Sequence, residues 1–192
     1  MYGLVNNAIQ SLVVSQHGEE TWNEIRARAG VVEPQFIGMD PYDDSITYKL
    51  VEAASSVLEI PAGDLLEAFG EYWTLYTADE GYGELLSMAG ETFEEALYNL
   101  DEMHARLALS MPELEPPTFH LAAAEDGKLE LTYFSRREGL TPMVCGLIQG
   151  LASRFSVKVE IEVGPTRSMN DGYETTFSLG VNRGSVRQVL RR

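Results

Sequence analysis

Apolar residues recur three or four positions apart through most of the first 111 residues, and at every second position through much of the remaining chain. The first period predicts helices. Residues 2–17 place Leu4, Val5, Ala8, Ile9, Leu12 and Val13 on one face, and 19–29 turn Trp22 and Ile25 inward before Gly30 stops the helix. Pro34, Gly38 and Pro41 make 31–44 a loop. Ser45 is read as the cap of a helix to about Ile60, with Ile46, Leu50, Ala53, Ala54 and Val57 inward. Pro61 is read as the first residue of the next helix, which carries Leu65, Phe69, Trp73 and Tyr76. Gly81 and Gly83 break the chain, and Thr92 with Glu95 forms a capping box for a helix that ends near Met111.

Pro112, Pro116 and Pro117 then end the helical pattern and force an extended backbone. Residues 118–124 and 128–135 read as a hairpin around Glu125-Asp126-Gly127. A helix comes next over 141–155, where Gly146 and Gly150 lie one turn apart and permit close approach of a neighbour. Residues 156–163 and 174–181 read as further strands. Helices first and hairpin-linked strands second predict an α+β fold: an N-terminal helical subdomain followed by an antiparallel sheet packed with helices. The helical part is expected over about 1–60, the α+β part over 61–181, and a basic tail over 182–192, with Arg183, Arg187, Arg191 and Arg192.

Composition narrows the function. A chain of 192 residues with 44% hydrophobic and 23% charged residues has room for one domain with a real core. Its net charge of -16 repels nucleic acid and anionic membranes. With Cys145 alone, an intrachain disulfide and a multi-cysteine metal centre are ruled out. No basic region precedes an apolar run at the N-terminus, and no stretch is long enough to span a bilayer, so the expected location is the cytoplasm.

Two groups of residues carry candidate chemistry. In the helix read over 97–111, Leu97, Leu100, His104, Leu107 and Met111 share one face, while Glu102 and Arg106 stand off it as an i,i+4 pair. His104 is therefore an imidazole within an apolar stripe. It is either a core histidine with a satisfied hydrogen bond or a neutral metal ligand facing an apolar cavity. The second group is Tyr133, Ser135 and Arg137. Alternate strand residues point the same way about 6.7 Å apart, which would align two hydroxyls and a guanidinium as a fork for an anion. The bland alternative is the polar face of an exposed strand end. His17 and His120 are read as structural.

The motif Tyr133-x-Ser135-x-Arg137, about thirty residues after His104-x-Arg106, resembles the H-NOX family of haem nitric oxide/oxygen-binding domains, relatives of the haem domain of soluble guanylate cyclase. Met1-Tyr2-Gly3-Leu4-Val5-Asn6, Ala68-Phe69-Gly70-Glu71-Tyr72-Trp73 and Asn99-Leu100-Asp101-Glu102-Met103-His104 extend the likeness, which looks close to cyanobacterial members. The resemblance implies haem b, iron protoporphyrin IX, with His104 as the axial ligand and Tyr133, Ser135 and Arg137 on its propionates. It implies that Pro117 presses on the macrocycle, and that Val5, Ile9, Trp73, Met143 and Leu147 line the distal side.

That family likeness implies a sensor of nitric oxide and carbon monoxide rather than an enzyme, because none of the matched distal residues is an acid or base. Nitric oxide would weaken the bond to His104 and relax the Pro117 contact. Output would pass to a separate protein, by family precedent a histidine kinase or a cyclic-dinucleotide enzyme. The alternatives are a haem-free interaction module that kept the fold, and a haem enzyme acting on peroxide or nitric oxide.

Overall fold

The computed structural model describes residues 1–33, 35–77, 90–124 and 127–182. Pro34, Gly81, Gly83, the Glu125-Asp126 turn and the arginines of the expected tail lie outside them. The two helices expected before residue 30 form one continuous element, α1 (Gly3–Ala29), whose backbone breaks at Gly18 (φ 85, ψ 167). Only glycine adopts that conformation without strain. Gly30 ends α1 in the left-handed region, as expected of a glycine past the last helical turn.

Helix α2 (Asp44–Leu58) is capped by Asp43, not Ser45: the Asp43 carboxylate accepts the Ser45 amide at 2.8 Å. Aspartate and serine cap about equally well, so adjacent candidates are not separated by composition. Pro61 sits just outside α3 (Ala62–Thr77), where its carbonyl accepts the Leu65 amide. These three helices enclose one core, with Ile9, Val13, Trp22, Ile25, Leu50 and Phe69 buried in it.

The helix expected over 97–111 is two helices. Thr92 caps the short α4 (Phe93–Tyr98), and α5 (Leu100–Ser110) starts afresh after Asn99. The Asn99 amide closes α4 on the Glu95 and Leu97 carbonyls, and the Asn99 carbonyl receives the Met103 amide. Asparagine is well suited to such a junction because it tolerates non-helical backbone. Leu97 consequently belongs to α4 and is buried at 1% exposure, away from the His104 face.

The expected hairpin is β1 (Thr118–Ala123) and β2 (Leu129–Ser135). Helix α6 (Thr141–Arg154) crosses to β3 (Lys158–Val163), then β4 (Arg167–Met169) and β5 (Gly172–Asn182). All pairings are antiparallel, in the order β1-β2-β5-β3, with β4 also on β5. The sequence pattern did not mark β4, whose three residues are all exposed and carry no alternation. On β2 the alternation is clean: Leu131, Tyr133 and Ser135 are buried beside Phe177 and Thr175 of β5 and beneath α6. Val163 departs from the pattern and is exposed.

Helices α3 and α6 join the two halves. A Cβ on Gly146 would overlap the Glu67 carbonyl, and one on Gly70 would overlap the Met143 carbonyl. The helices therefore touch backbone to backbone, which only glycine at these two positions permits. Gly150 continues the seam against Thr74. Trp73 of α3 and Met143 and Leu147 of α6 flank this crossing, and all three border the same space.

Candidate functional site

Between the helical core and the sheet lies a cavity of about 430 Å³. Leu4 and Val5 of α1, Trp73 and Thr77 of α3, Met103, His104 and Leu107 of α5, and Met143 and Leu147 of α6 wall it with mostly apolar atoms. Pro117, Phe119, Tyr133, Ser135 and Arg137 close it from the sheet side. Of the ten residues singled out in the sequence, nine border this cavity. Ile9 does not: it lies in the core of the helical half, 6% exposed. Val5 and Ile9 share a face, but Ile9 is one turn further along α1 and is covered by that core.

No residue of α5 is fully buried. Met103, His104 and Leu107 line the cavity, while Leu100 packs on the core of the sheet half. Burial lowers the proton affinity of His104, with Asp101 and the Leu100 carbonyl pulling the other way, so the ring is neutral near neutral pH. Its Nδ1 is buried without a hydrogen-bond partner. The core reading of His104 required that partner. Phe119, two residues after Pro117 on β1, stacks on the His104 ring at 5.9 Å and 14°. Asp101 fixes the same pair from the backbone by accepting the Phe119 amide at 2.7 Å. The i,i+4 pair of Glu102 and Arg106 forms as expected, at 2.5 Å on the outer face.

The opposite end of the cavity is polar. Tyr133 and Ser135 are each 4% exposed and share the inner face of β2. Burial raises the Tyr133 phenol above its ordinary value, with Ser135 and Arg137 opposing, so it remains a protonated donor. The strand stops at Ser135. Arg137 arrives by a turn in which its amide donates to Ser135 Oγ at 3.0 Å. Its guanidinium donates from Nε to Asp44 Oδ2 at 2.7 Å and from Nη1 to the Glu115 carbonyl at 2.6 Å. The Met1 amino group pairs with the same aspartate. Burial works against the charge on Asp44, yet Arg137 and the Met1 amino group hold its carboxyl below the usual carboxylate range. Arg137 thus already grips a carboxylate here, with the fork geometry that suits one. Arg136 points elsewhere, 65% exposed, toward Glu115 at 3.4 Å.

One end offers a neutral imidazole whose Nδ1 has no hydrogen-bond partner and the other an arginine on a carboxylate, with apolar walls between. Comparison with known proteins gives the chain a family. Residues 2–163 match the family model described as haem-NO-binding. The chain belongs to that family. Among curated proteins, this H-NOX domain is 31% identical over 180 residues to soluble guanylate cyclase gcy-32 of Caenorhabditis elegans, covering 90% of this chain and 26% of that protein. It spans about a quarter of the length of the curated relatives it matches. The fold of the unliganded Fe(II) H-NOX protein from K. algicida superposes with a TM-score of 0.84 at 22% identity, over 98% of this chain and 100% of that one. The Fe(II)NO H-NOX protein from S. oneidensis superposes with a TM-score of 0.79 at 21% identity, over 94% and 99%. The α+β architecture is therefore that of H-NOX domains, a family of sensor domains rather than catalysts.

The residues present fit haem, a flat apolar disc with one iron and two carboxylates. The neutral imidazole of His104, with an orphaned Nδ1, suits the iron and the Arg137 fork suits a carboxylate. Among the described residues no group of three or more His, Cys, Asp or Glu could hold a metal ion by itself. No described helix is long and apolar enough to cross a membrane. Cys145 is buried on α6, where burial pushes its thiol up to about 11. Sequence reasoning missed Asp44 and Phe119. Asp44 gave no signal, because its link to Arg137 spans 93 residues. Phe119 could have been found, since it stands two residues after Pro117, the spacing that returns a side chain to the same side of an extended backbone.

Proposed function

We propose that this H-NOX domain is a gas sensor that holds haem b between His104 and the Tyr133-Ser135-Arg137 end of its cavity, and that it responds to nitric oxide and carbon monoxide. The observation that carries this reading is the neutral imidazole of His104, which borders an apolar cavity and whose Nδ1 is buried without a hydrogen-bond partner. Bound haem would supply an iron site for a diatomic gas. His104 would serve as the axial ligand. Tyr133, Ser135 and Arg137 would donate to the two carboxylates. Pro117, which lines the cavity with Phe119, would press on the plane of the group.

On the far side from His104, Val5, Trp73, Met143 and Leu147 would form the gas pocket. Trp73 leans on Phe69 at 5.8 Å and stacks with Tyr76 at 6.3 Å, so its ring is held as part of an aromatic row. Met143 carries a thioether, which accepts weakly and cannot donate. A gas that needs a donor beside it is therefore poorly served. For signalling, release of His104 would free α5 from its anchor, and α5 is tied to β1 through Asp101 and the Phe119 amide. That biases the two halves toward another arrangement, a population shift set by differential contacts. The effector would be a histidine kinase or a cyclic-dinucleotide enzyme, by family precedent.

Absorption spectra of the reduced protein test this reading. Nitric oxide and carbon monoxide should each shift the haem band, while air should give slow oxidation and no lasting gas-bound spectrum. A persistent spectrum in air would overturn the selectivity. Its loss in Trp73→Phe would then identify Trp73 as the donor.

A further inference from the structure

Tyr48 lies outside the cavity beside His104 and takes no part in its walls. It stands one helical turn after Asp44 on α2, so both side chains leave the helix in the same direction. Asp44 reaches the Arg137 guanidinium. Tyr48 reaches the backbone next to it: its hydroxyl donates to the Glu138 carbonyl at 2.9 Å, across 90 residues of sequence. From the other side, Tyr173 of β5 donates to the Glu138 carboxylate at 3.0 Å. Gly139, at φ 78, then turns the chain toward α6. The residue directly after Arg137 is therefore gripped from both halves of the domain, by α2 at its carbonyl and by β5 at its carboxylate.

A second, open cavity of about 480 Å³ lies at this point, lined by Asp44, Tyr48, Arg136, Arg137, Glu138 and Gly139. Asp44 and Arg137 border both cavities, so their ion pair is the partition between them. The guanidinium sits at the end of a flexible stem. Its fork meets a carboxylate correctly only if the backbone beneath it is fixed. Burial, with Asp44 beside it, raises the Tyr48 phenol above its ordinary value, which keeps it a neutral donor.

We propose that Tyr48 is a positioning residue for the Arg137 clamp, holding segment 136–139 against α2 so that the guanidinium presents its fork to a haem carboxylate. This rests on the reading of Arg137 as that clamp. It also gives the helical half a direct connection to the carboxylate edge of the cavity, separate from the His104 helix.

The test is a double-mutant cycle on the haem-loaded protein, read as the rate of haem transfer to excess apomyoglobin. Tyr48→Phe keeps the ring and removes one hydrogen bond, so transfer should quicken about three- to tenfold. In an Arg137→Ala background the same change should do nothing further. The thermal midpoint of haem-free Tyr48→Phe should fall by no more than a few degrees, the cost of one hydrogen bond, and by about the same amount with or without Arg137. An unchanged transfer rate, or the same acceleration in both backgrounds, would overturn the positioning role and leave Tyr48 at most a brace of the fold. Equal transfer from wild type and Arg137→Ala is a different failure: it would remove the clamp itself.

Discussion

Replacing His104 with glycine should strip the purified protein of most of its haem, and added imidazole should bring it back. The single axial nitrogen that the cavity offers comes from this side chain, and free imidazole can occupy the space it leaves. The fold should survive. His104 is only partly buried, no residue of α5 is fully buried, and glycine in a helix interior costs about 1 kcal/mol. The measurement is the haem band per mole of protein, before and after imidazole. A His104→Gly protein that retains its haem, with an unchanged reduced spectrum and no imidazole, would remove His104 from the site.

Arg137→Ala should loosen haem without unfolding the chain, and Arg136→Ala should do little. Loss of a charge-assisted hydrogen bond to a carboxylate costs on the order of 1.5–3 kcal/mol. That corresponds to roughly 10- to 150-fold faster haem transfer to a scavenger. Asp44 would lose one partner but keep the Met1 amino group, and its side chain is 36% exposed. No buried charge is stranded. The Arg136–Glu115 pair is exposed on both sides, and such pairs contribute about 0–1 kcal/mol. Equal transfer rates for the two variants would sink the clamp.

Local periodicity was enough to find most elements, because the core imposes it. Leu131, Tyr133 and Ser135 alternate in the sequence as they do in β2, and Gly18 and Gly30 stand where α1 breaks and ends. The glycines of the α3–α6 seam were visible as spacing, although only the fold shows that they bring two backbones together. What stayed hidden was of two kinds. Boundaries set by competing residues of similar propensity, such as the Asp43 cap and the Asn99 junction, depend on small local differences. Long-range polar links, such as Asp44 to Arg137 and Tyr48 to Glu138, leave no local trace, because each partner also makes sense as a surface residue. His104 shows the limit from the other side. Its apolar stripe was legible, but whether that stripe met another element or a cavity depended on packing. Arg137 was expected to extend the strand row. Its place in a turn depends on Ser135 accepting its amide, a contact that a period-two pattern does not encode.

The central claim is that the cavity beside His104 is a haem site, and titration of haem-free protein with ferric protoporphyrin IX tests it most directly. The haem band should saturate at about one haem per chain, the capacity of one cavity with one available imidazole. On reduction it should show an iron held by a single histidine. Absorbance that rises without saturating, or that saturates identically in His104→Gly, would contradict the account.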